Sequence, residues 1–136
     1  MTVHHKFMRV VDAQERSLKI LGYSRSCKKR TVVCAGVIDG KLITLTQNIH
    51  KSTCDCHVYF PEPSPNAQHA EVGAIKVGCD TLYITYQPCP DCAAKMIEAR
   101  TVQAVYYRDQ DSKASTESIE LLRGAGIYVS NEWLNV

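Results

Sequence analysis

The chain has 136 residues, of which 45% are hydrophobic and 22% charged, a composition typical of one compact globular domain spanning residues 1–136. No apolar run approaches the roughly 20 residues that a membrane-spanning helix needs, and the first residues do not resemble a secretory signal, so we expect a cytoplasmic protein without a membrane partner. A formal net charge of +2 is too small to indicate a surface for duplex nucleic acid, which makes a nucleic-acid partner unexpected.

The first half of the chain predicts a helix followed by a β-hairpin. Four apolar residues recur at spacings close to multiples of about 3.6 residues, which is typical of an amphipathic helix: Phe7, Val11, Leu18 and Leu21. Two β-branched runs come next, TVVCAGVI (31–38) and KLITLT (41–46). Only Asp39-Gly40 links them, and such a link between strand-like runs is a strong hairpin signal.

The second half alternates between helical and strand-like segments. Helices are expected over about 68–78, 89–100 and 115–123, with Gly124 as the stop of the third, and strands over 81–85, 102–107 and 127–130. Strands separated by crossover helices run parallel, because an antiparallel return needs only a tight turn. The predicted fold class is therefore α/β, a three-layer α/β/α sandwich whose five-stranded mixed sheet has an N-terminal hairpin and parallel last strands.

Cysteine is unusually frequent, with seven residues in the chain. An odd number without a secretory signal argues against a disulfide framework and favours metal binding or catalysis. Two of the cysteines, Cys89 and Cys92, are three residues apart at the start of the second crossover helix. A helix N-terminus lowers the pKa of a thiol, which favours the thiolate that zinc binds.

A histidine and a glutamate, His69 and Glu71, open the preceding helix. Both helix starts are expected on the same edge of the parallel sheet, the edge at the carboxyl ends of the strands where open α/β sheets bind ligands. His69, Cys89 and Cys92 would supply three ligands and leave a fourth tetrahedral position open, as catalytic zinc requires. Zinc lowers the pKa of bound water from about 15.7 to about 7, so hydroxide is available at neutral pH. Glu71 is then placed to take the water's proton and pass it to a ring nitrogen and a leaving amine.

These four residues form the pattern H-x-E…P-C-x-x-C, the signature of zinc-dependent nucleobase deaminases. Each residue of this pattern also has an interpretation other than deamination. Cys89 and Cys92 would also suit a redox pair or a closed structural zinc site. His69 would also suit a helix cap, and Glu71 a first-turn carboxylate that favours the helix dipole. These alternatives would all have to be true at once to explain four residues in this order and spacing. We therefore favour the deaminase interpretation.

The segments QHAEVGAIKVG (68–78) and TLYITYQPCPDCAAKMIEARTVQAVYY (81–107) resemble the core of the cytidine and deoxycytidylate deaminase superfamily. Among its members, the chain is most similar to deoxycytidylate (dCMP) deaminases, including those of bacteriophages. The resemblance implies that His69, Cys89 and Cys92 bind Zn²⁺ and that Glu71 is the proton shuttle in the hydrolysis of dCMP to dUMP and ammonia. It also implies a small-molecule nucleotide substrate and a homo-oligomer, either a hexamer or a tetramer.

The connection between the last two strands bears on the subfamily. Free cytidine deaminases of this superfamily run these strands antiparallel, joined by a short connection. Here DQDSKASTESIELLRGAG separates them, which is enough for a helix and hence a parallel pair. Nucleotide, tRNA and nucleobase deaminases share that arrangement.

The resemblance also suggests two substrate contacts. Asn48 matches an asparagine that binds the sugar in family members, although the flanking glycines of the family pattern are missing. Tyr107 is the candidate for an aromatic residue against the base and Tyr106 its alternative, since strand alternation sends only one of them inward. Asn48 would equally suit a loop residue without a contact, and either tyrosine would suit core packing.

Phage dCMP deaminases can carry a second, structural zinc, and four residues occupy corresponding places. They are Cys27, Cys54, Cys56 and His57. The last three lie in a proline-rich irregular segment, which such a zinc would anchor to the rest of the domain. Cys34 and Cys79 are expected to be small buried hydrophobic residues without a role in the chemistry.

Other functions compatible with this pattern are deamination of dCTP or free cytidine, and editing of tRNA adenosine. The near-neutral charge weighs against a tRNA substrate. A further alternative is a deaminase-like zinc module that binds nucleotides without catalysis. Glu71 weighs against such a module, because a structural zinc needs no proton shuttle.

Overall fold

The structure is a computed structural model that describes residues 3–20, 32–47, 69–110 and 116–133. In chain order its elements are α1 (Val3–Ile20), β1 (Val33–Ile38), β2 (Lys41–Gln47), α2 (Glu71–Val77), β3 (Thr81–Tyr86), α3 (Pro90–Ala99), β4 (Ala104–Asp109), α4 (Glu117–Gly124) and β5 (Tyr128–Ser130).

The strands form one five-stranded sheet in the order β2-β1-β3-β4-β5. β1 is antiparallel to both β2 and β3, whereas the β3–β4 and β4–β5 pairs are parallel. The hairpin turn has positive φ at both central residues, 51° at Asp39 and 76° at Gly40, as a type I′ turn requires. The predicted mixed sheet, its hairpin and its parallel last strands are therefore confirmed.

Helices cover both faces of the sheet. The apolar stripe of α1, including Phe7, Val11 and Leu18, packs on one face against β1 and Tyr83 of β3. Helices α2, α3 and α4 cover the other face, where Cys34 and Cys79 are buried in the larger core cluster. This arrangement confirms the three-layer sandwich and the predicted burial of the two cysteines. Leu21 lies outside the described residues.

Several predicted boundaries were wrong by one to three residues. Helix α2 begins at Glu71 rather than near residue 68, and β4 begins at Ala104 rather than at residue 102. Gly124 is the last residue of α4 and not its stop. The reversal occurs at Gly126, whose φ is 84°, because a left-handed residue is needed where the N–H of Ile127 turns back to the carbonyl of Leu122 at 3.0 Å.

None of the helices in the described part of the chain combines the length and the apolarity that crossing a membrane requires.

Candidate metal centre

The start of α3 places two sulfur atoms on one side of the chain. Cys89 is the N-cap residue, with extended φ and ψ of −75° and 165°, and its Sγ accepts a hydrogen bond from the backbone N–H of Cys92 at 3.4 Å. Pro90 follows as the first helical residue, where its fixed φ suits the helix and no N–H is lost. The Pro-Cys-Pro-Asp-Cys order therefore folds into a helix start that carries both thiols.

The start of α2 lies beside that of α3 and brings His69 to the same place. The Nδ1 atom of His69 is 3.6 Å from Sγ of Cys89 and 3.5 Å from Sγ of Cys92. All three candidate ligand atoms lie within 4.8 Å of one another. Zinc bonds of about 2.3 Å to sulfur and about 2.05 Å to nitrogen at tetrahedral angles would separate nitrogen and sulfur by about 3.6 Å. The spacing of these residues therefore fits a zinc ion.

The electrostatic environment of the site shifts the pKa values of its two thiols in opposite directions. Hydrogen bonds from Cys92 and from His69 lower the pKa of Cys89 to about 4, although its partial burial opposes this. The same pairing raises the pKa of Cys92, and the contact with Cys89 raises the pKa of His69. The lowered pKa of Cys89 favours its thiolate form, which is the form that binds zinc.

Glu71 is the first residue of α2 and is only 3% exposed. Burial raises the pKa of its carboxyl group, while a hydrogen bond with Cys92 acts in the opposite direction. A buried carboxyl group with a raised pKa beside the candidate metal ligands is suited to accept and return a proton.

The family of the chain follows from its sequence. Residues 1–108 match the family model described as the cytidine and deoxycytidylate deaminase zinc-binding region. The chain belongs to this deaminase family. The zinc-binding region of the family and the group formed by His69, Cys89 and Cys92 agree on Zn²⁺ as the cofactor.

Three curated relatives of this deaminase-family chain match it over part of their length. The deoxycytidylate deaminase of Enterobacteria phage T2 is 34% identical over 85 residues, and the match covers 54% of this chain and 45% of the relative. That of Enterobacteria phage T4 is 36% identical over 76 residues, with coverage of 50% of this chain and 39% of the relative. The tRNA-specific adenosine deaminase of Agrobacterium fabrum is 30% identical over 103 residues, with coverage of 66% of this chain and 60% of the relative. The chain therefore spans less than two thirds of the length of each relative.

Solved structures share the fold. The dCMP deaminase from the cyanophage S-TIM5, in complex with dCMP and dUMP, has a TM-score of 0.63 at 24% identity and covers 89% of this chain and 95% of its own. Acinetobacter baumannii RibD has a TM-score of 0.62 at 23% identity and covers 93% of this chain and 35% of its own. At these identities the likeness shows the fold alone.

The two tyrosines of β4 lie on opposite faces of the sheet of this deaminase domain. Tyr107 is 3% exposed and belongs to the core cluster beneath α2 and α3, with its hydroxyl donating to Oε1 of Gln110 at 3.4 Å. Tyr106 faces α1, where its ring stacks on Tyr83 with a centroid distance of 5.1 Å. Only Tyr107 is therefore on the metal side of the sheet, and its contact with a base stays a prediction.

Several predicted residues lie outside the described part of the chain. They are Asn48, the candidate sugar ligand, and the candidate ligands of a second zinc, Cys27, Cys54, Cys56 and His57. Both the sugar contact and the second zinc therefore stay predictions.

An ionic cluster that is not apparent in the sequence joins α1 to the end of β4. The guanidinium of Arg108 lies 2.9 Å from Asp12, 2.8 Å from Glu15 and 2.7 Å from Asp109. The carbonyl of Asp109 accepts the N–H of Gln87 at 3.0 Å, in the segment that leads to Cys89. No local spacing signals this cluster, because Arg108 is 96 residues from Asp12 and 93 residues from Glu15 along the chain.

A second residue that the sequence analysis did not single out is Thr46 in β2. Its hydroxyl donates to the carbonyl oxygen of Ala70, the residue between His69 and Glu71, at 2.5 Å. A threonine late in the second strand of a hairpin carries no specific signal for such a contact in the sequence.

Proposed function

We propose that this chain is a zinc-dependent deaminase that hydrolyses the exocyclic amine of dCMP to give dUMP and ammonia. The observation that carries the proposal is the zinc-sized spacing of His69, Cys89 and Cys92 with a buried glutamate, Glu71, two residues from the histidine. Three ligands leave one coordination position for a reactant, whereas a structural site has four protein ligands.

The roles of the residues follow from this arrangement. His69, Cys89 and Cys92 would hold zinc, which when bound supplies a Lewis acid and lowers the pKa of water to about 7. Glu71 takes a proton from the attacking water and delivers it to the ring nitrogen N3 while the water oxygen adds at C4. Glu71 then moves the proton of the new C4 hydroxyl to the exocyclic nitrogen, the bond from C4 to the amine breaks, and ammonia leaves a C4 carbonyl.

The choice of dCMP is supported by the relatives and by the sheet. Two relatives are deoxycytidylate deaminases with 34% and 36% identity to this chain. The parallel β4–β5 pair also favours the nucleotide-type arrangement over that of free cytidine deaminases. We further propose a cytoplasmic enzyme, and we keep a hexamer or tetramer as a prediction that sedimentation velocity would test.

Deamination of adenosine in tRNA is the second candidate, favoured by the 30% identity to a tRNA-specific adenosine deaminase over 103 residues. The chemistry would be the same, with C6 of adenine in place of C4 of cytosine. A tRNA substrate would need a basic extended surface, for which a net charge of +2 gives little support.

Ammonia release from a panel of substrates tests the proposal. The purified zinc protein is assayed with dCMP, dCTP, cytidine and a tRNA anticodon stem-loop. We expect the highest kcat/KM with dCMP. Turnover of only the stem-loop would replace the proposed substrate by tRNA, and no turnover of any of the four would contradict the proposed activity.

A further inference from the structure

The hydroxyl of Thr46 has two carbonyl oxygens within reach. It is 2.5 Å from the oxygen of Ala70 and 3.4 Å from the oxygen of Cys34 on β1. A hydroxyl has one proton to donate, and the shorter distance identifies the Ala70 oxygen as its acceptor. Thr46 thereby links the end of β2 to a residue 24 positions later in the chain.

The acceptor lies between a metal-binding residue and the candidate proton shuttle. Ala70 is flanked by His69 and Glu71, so the position of its peptide units determines where both side chains start. It is also the N-cap residue of α2, and no side chain of its own caps that helix start. The hydroxyl of Thr46 therefore supplies a side-chain tether from this segment to the sheet.

The methyl group of Thr46 lies close to the same helix. A Cβ atom added at Gly73 would lie 3.2 Å from Cγ2 of Thr46, closer than side chains usually pack. The absence of a side chain at Gly73 thus lets α2 approach β2 closely enough for the hydroxyl to reach Ala70. The hydroxyl and the methyl group of Thr46 therefore both lie at the start of α2.

We propose that Thr46 is a positioning residue for the metal centre: through the Ala70 carbonyl it fixes the segment that carries His69 and Glu71 against β2. This inference rests on the proposed function. The spacing of about 3.5 Å between His69 and the sulfurs requires the starts of α2 and α3 to keep their relative position. A shift of about 1 Å in such a segment can cost a factor of about 100 in rate without any lost contact to the substrate.

The same strand provides a matched control. Thr44 lies two residues earlier on the same face of β2, and its buried hydroxyl forms no hydrogen bond with residues 69–71. Thr44→Val and Thr46→Val make the same chemical change in the same strand, so they differ in whether the hydrogen bond to Ala70 is lost. Valine keeps the shape of threonine and suits a strand, so both variants are expected to fold.

The test combines kinetics with cobalt spectroscopy on Thr46→Val, Thr46→Ser and Thr44→Val. For Thr46→Val we expect kcat with dCMP to fall about 10- to 100-fold with KM changed less than about threefold. Its Co²⁺-substituted form should show altered ligand-field and thiolate charge-transfer bands. Thr46→Ser keeps the hydroxyl and should recover most of kcat and the wild-type spectrum, while Thr44→Val should match wild type.

A Thr46→Val protein with wild-type kcat and cobalt spectrum would overturn the inference, even if its melting temperature fell. A Thr46→Ser protein as impaired as Thr46→Val would also overturn it. Should valine prevent folding, Thr46→Ala is measured in its place with the same expectation. If the wild-type protein deaminates no substrate, the proposed function fails, while the cobalt spectra still decide the role of Thr46.

Discussion

At the residue scale, the proposed reaction depends on a carboxyl group that is not one of the three candidate metal ligands. Glu71 is buried at the first position of α2, next to His69 and in contact with Cys92. Burial raises the pKa of this carboxyl group, because the charged form loses hydration. Replacing the carboxyl by an amide of the same shape would remove the proton exchange and leave the metal ligands intact.

We therefore expect Glu71→Gln to keep the wild-type zinc content and to lose activity by a factor of about 10²–10⁴, the usual contribution of general acid–base catalysis. Ammonia release from dCMP and zinc content by mass spectrometry are the two measurements. Glu98→Gln, which changes an exposed glutamate of α3, is the control and should keep kcat within about twofold. Wild-type turnover by Glu71→Gln would exclude Glu71 as the proton shuttle.

At the element scale, the close packing of α2 on the sheet depends on the missing side chain of a glycine in β1. A Cβ atom at Gly36 would come within 2.4 Å of the Thr44 hydroxyl, 2.6 Å of Sγ of Cys79 and 2.8 Å of Cβ of Ala74. Two of these contacts lie in the buried core, where neighbouring atoms have little room to move. Gly36 therefore allows α2 to pack closely on the hairpin.

Gly36→Ala should accordingly lower the free energy of unfolding by about 1–3 kcal/mol, the usual effect of overpacking a core. Gly124→Ala is the matched control, since nothing lies within 4 Å of a Cβ added there in α4. It should be neutral or stabilise the fold by up to about 1 kcal/mol, because alanine favours the helix. Urea unfolding of both variants measures the difference, and equal stabilities would contradict the packing of α2 described above.

The elements were largely predictable because their signals are local. Apolar periodicity predicted α1, and Asp39-Gly40 predicted the hairpin. The motif placed the helix starts near His69 and Cys89, close to the observed first residues Glu71 and Pro90. The late start of β4 has a non-local cause. The N–H groups of Gln103 and Ala104 bond to the carbonyl of Asp80 at 2.7 and 3.2 Å, an arrangement that no short window of sequence contains.

At the scale of the whole molecule, the two helical layers are joined to one sheet by contacts between distant parts of the chain. The Arg108 cluster joins α1 to the end of β4, and the indole N–H of Trp133 adds a hydrogen bond to Asp12 at 3.1 Å. The side chain of Arg108 is 23% exposed and that of Glu15 is 8% exposed, so removing the cation would leave a largely buried carboxylate with one counter-charge fewer.

Arg108→Gln is thus expected to destabilise the fold by about 1–3 kcal/mol, less than a fully buried pair would because the cluster is partly exposed to solvent. Arg16→Gln removes the same charge from an exposed position of α1 and should change stability by less than about 0.5 kcal/mol. Thermal and urea unfolding provide the comparison. Equal stability of the two variants would show that the cluster contributes nothing beyond net charge.

Zinc content of wild type and of Cys92→Ala tests the metal centre most directly. The variant should contain one zinc per chain less than wild type and release no ammonia from dCMP, because two ligands would remain of the three. Cys79→Ala, which alters a buried cysteine outside this group, should keep the wild-type zinc content. Equal zinc in wild type and Cys92→Ala, or unimpaired deamination by Cys92→Ala, would contradict a metal held by His69, Cys89 and Cys92.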